Sequence, residues 1–196
     1  MSDSTSSPRK PVVGVLALQG DYEAHARAIE HAGGLSREIN RADQLAEIDG
    51  LVIPGGESST MLKLIDYENL FEPLKTFGQS KPVFGTCAGA ILIARDVINP
   101  SQASFDLMDI GVERNAYGRQ RDSHIVALQA EGLGELEAVF IRAPIIRRVG
   151  SEVKVLASHR GDAVLVTQGL HMAATFHPEL TADSRVHRMF VERLNR

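Results

Sequence analysis

The stretch Lys81-Pro82-Val83-Phe84-Gly85-Thr86-Cys87-Ala88-Gly89-Ala90-Ile91-Leu92-Ile93-Ala94 contains the only cysteine of the chain. The short apolar run ending at Phe84 predicts the end of a buried strand, and the apolar run after Cys87 predicts a buried helix. Cys87 therefore lies on a strand-to-helix turn with glycine two residues to either side, a pattern that presents a nucleophile, here with sulfur in place of a serine oxygen. Small residues permit such a tight turn, and the positive end of the following helix favours the thiolate.

The alternative for Cys87 is a structural role, since an unpaired cysteine commonly behaves as a small buried apolar residue. Nucleophilic catalysis also requires a general base and a group that orients this base. The rest of the chain has to provide both before Cys87 can be assigned as a nucleophile.

The composition is that of a globular protein, because 43% of the 196 residues are hydrophobic and 23% are charged. We predict a single domain over residues 11–196, preceded by a polar, disordered tail over residues 1–10. The net charge of −4 offers no overall basic surface for nucleic acid. One cysteine excludes an internal disulfide and fits a reducing cytoplasm, and no apolar run is long enough to cross a membrane. The histidines lack metal-ligand spacing, so we predict no metal and no cofactor.

The first half of the chain alternates apolar runs with amphipathic segments. Val12–Leu18 and Leu51–Ile53 are continuous apolar runs, typical of strands that are buried on both faces of a parallel sheet. The resulting β-α-β-α-β-α-β-α order predicts an α/β fold with a doubly wound, mostly parallel sheet. Between and after these strands we predict a helix capped by Asp21 with Ala24, Ala28, Ile29 and Ala32 on its inner face, an edge strand over Leu35–Asn40, a short helix over Ala42–Ile48, and helices through Met61–Ile65 and Leu70–Phe77.

The second half is richer in short strands, which predicts added antiparallel strands. Residues 97–110 have the mixed composition of a loop, and a hairpin turn is predicted at Gly161-Asp162. A final helix is predicted over about Asp183–Leu194, with Val186, Met189, Phe190 and Leu194 on its buried face. The predicted strands are Val112–Asn115, Ile125–Leu128, Val139–Pro144, Val153–Ala157, Ala163–Thr167 and Met172–Phe176.

The segment Pro54-Gly55-Gly56-Glu57-Ser58-Ser59-Thr60 follows a predicted strand and opens a helix. It lacks the spacing and the lysine of a phosphate-binding loop. One interpretation is an ordinary glycine-containing turn with Ser58 as the helix cap. The other is an oxyanion site, because this loop and the Cys87 turn share the carboxyl edge of a parallel sheet. The amides of Gly55 and Gly56 would then join that of Ala88 around a developing negative oxygen.

The segment His177-Pro178-Glu179 contains a candidate base and a candidate orienting acid. In an extended segment, residues two apart project to the same side, and Pro178 disfavours a helix at His177. His177 and Glu179 are therefore predicted to be neighbours, as base and orienter in the logic of a catalytic triad. The alternative is an unrelated surface pair at a strand end.

The remaining charged candidates have less distinctive surroundings. His25, His31 and His187 lie on predicted helices and are expected to be solvated, whereas His124, His159 and His171 lie near strand ends. Arg114 and Arg142 lie in or at the end of strands, where each charge requires a partner. Each is either half of a structural ion pair or a clamp for a substrate carboxylate.

Together, the cysteine turn, the glycine loop and the His-Pro-Glu segment resemble the class I glutamine amidotransferases. More narrowly, from about Val12 to the C-terminus the chain is similar to the glutaminase subunits of pyridoxal 5′-phosphate synthase. The segments that carry this narrower resemblance are Leu16–Gly20, Pro54–Met61, Val112–Asn115, Tyr117–Gln120, Phe140–Pro144 and Phe176–Thr181.

The resemblance implies a flavodoxin-like, three-layer fold and the hydrolysis of L-glutamine to L-glutamate and ammonia through a γ-glutamyl thioester. Cys87 would be the nucleophile, His177 the base and Glu179 its orienter. Ammonia would pass to a separate synthase (lyase) subunit that builds the vitamin B6 cofactor, in a complex of roughly twelve copies of each subunit. The residues implied to contact glutamine are Gly56, Glu57, Ser58, Arg114, Ile141 and Arg142.

Three other interpretations remain open at this point. The chain could be a glutaminase that serves another acceptor pathway, against which the narrower segments count. It could be a cysteine-elbow protein that acts on aldehydes or in stress, but such proteins do not require His177-Pro178-Glu179. It could also be a catalytically idle subunit that binds glutamine or only its partner, against which the intact triad residues count.

Overall fold

The computed structural model describes residues 9–115 and 123–195 of the chain. Residues 1–8 of the predicted tail and the segment Tyr117–Gln120 lie outside the described residues. The elements follow in this order: β1 (Val12–Leu16), α1 (Tyr22–His31), β2 (Leu35–Ile39), a 3₁₀ helix (Ala42–Glu47), β3 (Gly50–Ile53), α2 (Ser58–Tyr67), α3 (Phe71–Gly78), β4 (Val83–Thr86), α4 (Ala88–Ile93), β5 (Ala94–Ile98), β6 (Met108–Glu113), β7 (His124–Ala130), β8 (Gly134–Phe140), β9 (Ile145–Val149), β10 (Lys154–His159), β11 (Asp162–Gln168), β12 (His171–Ala174), a second 3₁₀ helix (Pro178–Leu180) and α5 (Arg185–Arg193).

A large sheet runs through the molecule in the strand order β2-β1-β3-β4-β12-β11-β9-β6-β5, and β10 pairs with β11. The strands from β2 to β12 are parallel to one another, in the order of a flavodoxin-like sheet. Strand β11 pairs antiparallel with β12, β9 and β10, and β9 pairs antiparallel with β6. The prediction of a doubly wound, mostly parallel sheet with added antiparallel strands in the C-terminal half is confirmed.

Helices cover both faces of this sheet, so the fold has three layers. Because side chains alternate along a strand, neighbouring residues of β3 belong to different cores. Leu51 and Ile53 pack in a core with α2, α3 and α4, whereas Val52 packs in a second core with α1, α5 and the separate β7–β8 hairpin.

The prediction of a loop over residues 97–110 is wrong in part, since β5 extends to Ile98 and β6 begins at Met108. Strand β9 was also absent from the predicted strands. These strands carry exposed charges, which hide the apolar pattern. The charges are matched across strands: Arg148 lies 2.7 Å from carboxylate oxygens of both Asp96 and Asp109. Such cross-strand pairs allow charged residues on the outer part of a sheet.

Several predicted boundaries need correction. The β10–β11 turn is Arg160-Gly161, one residue earlier than predicted, and both residues have positive φ, as a two-residue hairpin requires. The strand predicted over Val139–Pro144 ends at Phe140, and the final helix begins at Arg185. Asp21 is the N-cap residue of α1, although its side chain makes no capping hydrogen bond.

Within the described ranges, no helix has the length and apolar character needed to cross a membrane. Nor do these residues contain a group of three or more His, Cys, Asp or Glu side chains arranged to hold a metal ion.

Candidate active site

The loops after β3, β4 and β12 lie side by side because of the register of these strands. Ile53 pairs with Gly85, and Thr86 pairs with Ala174. The backbone N–H of Cys87 donates a hydrogen bond of 2.8 Å to the carbonyl of Ala174. The glycine loop, the cysteine turn and the His-Pro-Glu segment therefore meet at the carboxyl edge of the parallel sheet, where α/β folds bind ligands.

Cys87 has a strained backbone, with φ of 49° and ψ of −103°, and directly precedes α4. Such a conformation is costly for a residue with a side chain and is found mainly at functional turns. The turn depends on the close packing of α4 against the sheet, because a Cβ on Gly89 would collide with the carbonyl oxygen of Ile53. The Cys87 side chain is therefore held in one place at the end of β4.

His177 and Glu179 form a buried pair. Nδ1 of His177 lies 2.8 Å from Oε1 of Glu179, and both residues are 7% exposed. The predicted contact is present, but the predicted extended backbone is wrong, since a 3₁₀ helix begins at Pro178 directly after His177. Proline is favourable at the first position of such a turn, which here brings the carboxylate back under the imidazole.

The surroundings of this pair favour a protonated His177 and an ionised Glu179. Burial by itself lowers the pKa of His177, but hydrogen bonds with Cys87 and Glu179 outweigh burial and raise this pKa from 6.5 to about 10. Burial raises the pKa of Glu179, but its interactions with His25 and His177 hold the pKa well below its usual range. At neutral pH the pair therefore favours an imidazolium beside an ionised carboxylate.

Gly55 lies directly against the catalytic candidates. A Cβ at this position would stand 3.0 Å from Nδ1 of His177 and 3.3 Å from Cβ of Cys87, and closer still to the imidazole Cε1. Only glycine leaves room for the imidazole and the thiol to occupy their observed positions.

A cavity of about 350 Å³ opens beside Cys87 and His177, within the size range of small-molecule sites. All six residues that the resemblance assigns to glutamine line it. Of the three residues predicted for the oxyanion site, Gly56 lines it, whereas Gly55 and Ala88 do not. The lining residues are Gln19, Gly56, Glu57, Ser58, Cys87, Ile91, Arg114, Asn115, Ile141, Arg142, Pro144 and His177.

Glu57, not Ser58, caps helix α2. Its carboxylate accepts hydrogen bonds from the backbone N–H groups of Ser59 (3.0 Å) and Thr60 (2.7 Å). Although burial raises its pKa, the hydrogen bond from the Thr60 hydroxyl and these backbone hydrogen bonds hold the pKa of Glu57 at about 2, so the side chain stays ionised. Ser58 instead donates to Oε1 of Gln102 at 3.1 Å.

The two arginines of the cavity have different surroundings. Arg114 is buried and its Nη2 lies 3.4 Å from Oε1 of Glu57 and 2.5 Å from Oγ of Ser59, which is the structural ion pair considered for it. Arg142 is exposed, has a positive φ of 43°, and has no carboxylate partner among the described residues. Of the two, Arg142 has the guanidinium that is available to a substrate carboxylate.

Gln19 lines the cavity but is not among the residues predicted to contact glutamine. Its Oε1 is buried without a hydrogen-bond partner among the described residues, and its amide lies beside Gly56. The signal was available, because Gln19 follows a buried strand as the Pro54–Thr60 loop does.

The expectation that His25 and His187 are solvated is wrong, since they are 0% and 1% exposed. His31 is exposed as expected. The pattern that could have found the buried histidines is helical spacing. His25 shares a face with Ala28 and Ile29, and His187 shares one with Phe190 and Val191.

Comparison with known proteins agrees with this fold. A crystal structure of a glutamine amidotransferase superposes with a TM-score of 0.88 at 43% identity, covering 94% of this chain and 99% of that chain. The architecture is therefore that of a glutamine amidotransferase. The family model of the SNO glutamine amidotransferase family matches residues 15–196, and the chain belongs to this family.

Two similar proteins carry a more specific description. The pyridoxal 5′-phosphate synthase subunit PdxT of Solibacter usitatus (strain Ellin6076) is 57% identical over 189 residues, which cover 93% of this chain and 98% of the relative. The protein of the same description from Shouchella clausii (strain KSM-K16) is 50% identical over 182 residues, covering 92% and 93%.

Proposed function

We propose that this protein hydrolyses L-glutamine to L-glutamate and ammonia and supplies the ammonia to a synthase subunit that makes pyridoxal 5′-phosphate. The observation that carries the reaction is that Cys87 and His177 stand together at one wall of the cavity, with the Glu179 carboxylate 2.8 Å from Nδ1 of His177. Membership of a glutamine amidotransferase family and the similarity to PdxT relatives support the choice of glutamine and of the pathway.

In the first half-reaction, Sγ of Cys87 attacks the side-chain amide carbon of glutamine. A carbon–sulfur bond forms, and the carbonyl electrons move to oxygen. His177, which holds the thiol proton, passes it to the amide nitrogen as the carbon–nitrogen bond breaks. Ammonia leaves and a γ-glutamyl thioester remains on Cys87. The raised pKa of His177, about 10, suits a group that must hold this proton until ammonia departs.

In the second half-reaction, water replaces ammonia. His177 takes a proton from the water, whose oxygen attacks the thioester carbon. The carbon–sulfur bond breaks, and glutamate leaves as the thiolate is restored. Glu179 keeps Nδ1 of His177 protonated in both steps, so that Nε2 exchanges the proton.

Stabilisation of the oxyanion is assigned to the backbone amides of Gly55, Gly56 and Ala88. The loop and the turn that carry these amides flank Cys87 at the same sheet edge. Amides directed at a developing negative oxygen are a large term in such reactions.

Glutamine would be held by the six predicted lining residues. Arg142 would bind the α-carboxylate, since its guanidinium is the available one. Glu57, ionised and exposed on one side, would receive the α-ammonium group. Gly56, Ser58 and Ile141 would form the walls, and Arg114 would keep Glu57 in place.

The synthase (lyase) subunit would be the acceptor of the ammonia, in an assembly of roughly twelve copies of each chain. We place the activity in the cytoplasm, because a reducing compartment keeps a single catalytic thiol free. Residues 11–196 would act as one domain.

The test is release of glutamate from glutamine, measured with and without the synthase subunit, for wild type and for Cys87→Ala. We expect activity in the wild-type complex and none above background in the variant. No glutamate from the wild type under either condition would refute the glutaminase. Equal activity in Cys87→Ala would refute the assigned nucleophile.

A further inference from the structure

A buried group of polar side chains lies beside Glu179 of the triad. His25 of α1, His187 of α5 and Thr86 at the end of β4 have at most 1% of their surface exposed. No step of the proposed reaction uses them. Burying two imidazoles in a core is unfavourable unless their nitrogen atoms are paired, so this group requires an explanation.

Short distances connect the group to the triad. Nδ1 of His25 lies 2.9 Å from Nε2 of His187. Nε2 of His25 lies 3.1 Å from Oγ1 of Thr86 and 3.3 Å from Oε2 of Glu179. The approach to Thr86 has the better hydrogen-bond alignment, so this nitrogen lies within reach of two oxygens.

Nδ1 of His187 determines which nitrogen atoms in this group donate and which accept. Nδ1 of His187 is buried and has no hydrogen-bond partner among the described residues. A proton there would be a buried unpaired donor, which is costly, whereas an unprotonated nitrogen costs less. His187 is therefore neutral with its proton on Nε2, in agreement with burial, which lowers its pKa to about 3. It donates to Nδ1 of His25, which leaves the His25 proton on Nε2.

The outer oxygen of the Glu179 carboxylate otherwise lacks a donor. Oε1 accepts from His177, while Oε2 is buried without a well-aligned hydrogen bond from any described residue. A buried carboxylate requires donors on both oxygens to be held in one orientation. Nε2–H of His25 lies 3.3 Å from this oxygen and is its candidate donor, since hydrogen bonds in catalytic sites are often long or poorly aligned without substrate and shorten in the substrate complex.

We propose that His25 is a positioning residue of the glutaminase: its Nε2–H holds the outer oxygen of Glu179, so that the inner oxygen stays on Nδ1 of His177. His187 sets the tautomer of His25. His187 then donates to His25, and His25 donates to one oxygen of Glu179. His177 donates to the other oxygen of the same carboxylate. This inference rests on the proposed function, since it assigns a role in the same reaction.

A matched pair of variants separates the two nitrogens of His25. The amide nitrogen of glutamine reaches the place of Nε2, whereas that of asparagine reaches only the place of Nδ1. In the complex with the synthase subunit, we expect His25→Asn to lower kcat for glutamine about 10- to 100-fold with KM within about twofold, and His25→Gln to retain kcat within about threefold.

A second readout does not depend on turnover. Cys87 is the only cysteine, so the rate of alkylation by iodoacetamide reports on that thiol alone. A displaced Glu179 stabilises the imidazolium less, and therefore the thiolate less. Alkylation near neutral pH should slow in His25→Asn and stay near wild type in His25→Gln.

The result that would overturn the inference is a His25→Asn complex with wild-type kcat and alkylation rate, whatever its melting temperature, because a purely structural histidine affects only stability. If His25→Asn does not fold, His187→Asn and His187→Gln give the same comparison with His25 in place, and equal kcat and alkylation in these two would also overturn it. An inactive wild-type complex would refute the glutaminase instead.

Discussion

Nδ1 of His177 lies 2.8 Å from Oε1 of Glu179, across a proline that starts a turn of 3₁₀ helix. The carboxylate accepts a hydrogen bond from Nδ1–H, and in the proposed reaction Nε2 exchanges a proton with the thiol. Because both residues are buried, water does not compete for either atom. The orientation of the imidazole is therefore set by its hydrogen bonds with Glu179 and Cys87 and by the space that Gly55 leaves beside the ring.

The substitution Glu179→Gln should lower kcat without unfolding the protein. The amide nitrogen of the introduced side chain would donate to Nδ1 of His177 and select the tautomer that cannot accept a proton from Cys87. We expect a loss in kcat of about 10²- to 10⁴-fold. Glutamate release in the complex measures kcat, and far-ultraviolet circular dichroism shows whether the variant is folded. Wild-type kcat in this variant would contradict the orienting role.

The folded protein should lose stability as pH rises above neutrality. The pKa of folded His177, about 10, is above its ordinary value of 6.5, so its contribution is complete below about pH 6.5 and is lost as pH rises through about 10. The melting temperature should therefore fall between about pH 7 and pH 10, and fall less steeply in His177→Asn, which has no group to titrate there. If the melting temperatures of wild type and His177→Asn fell equally with pH, the loss of stability would not come from His177.

Adding one carbon atom at Gly55, as in Gly55→Ala, should impair the site. The new Cβ would stand 3.0 Å from Nδ1 of His177 and push the imidazole away from the thiol. A displacement near 1 Å corresponds to a loss of about 10²-fold in kcat. The control is Gly34→Ala, whose Cβ would meet only apolar atoms of Ile29 and Val191 and the Ile29 backbone. An equal loss of kcat in both variants would exclude a local effect.

Arg142 should show a conflict between stability and substrate binding. Its φ of 43° is unfavourable for arginine, so Arg142→Gly should leave the free energy of unfolding unchanged or raise it by about 1 kcal/mol. The KM for glutamine should increase by about tenfold or more, because a charge-assisted hydrogen bond is lost.

Arg160→Gly is the matched control for Arg142→Gly. Arg160 has a φ of 52° in the β10–β11 turn and does not line the cavity. Its substitution should change stability similarly and leave KM as in wild type. Steady-state kinetics and chemical denaturation of the two variants separate backbone strain from binding, and an unchanged KM in Arg142→Gly would remove Arg142 from the glutamine site.

Local patterns were enough to predict much of the fold. Continuous apolar runs indicated the central strands, and helical spacing indicated the helices between them. Strands β5 and β9 were missed because each contains two consecutive charged residues, Arg95-Asp96 and Arg147-Arg148, most of whose partners lie on other strands. The number and position of such partners depend on sheet register, which no single segment contains.

The cysteine turn, the His-Pro-Glu segment and the glycine loop follow from local sequence, because glycine, proline and apolar runs act on the backbone within a few residues. Tertiary packing sets which charged groups meet. It places Arg114 on Glu57, leaves Arg142 without a carboxylate partner among the described residues, and buries His25 and His187 near Glu179. These outcomes depend on helix packing across the sheet and on distances between segments far apart in the chain, and hydrogen bonds and ion pairs act only at such short distances.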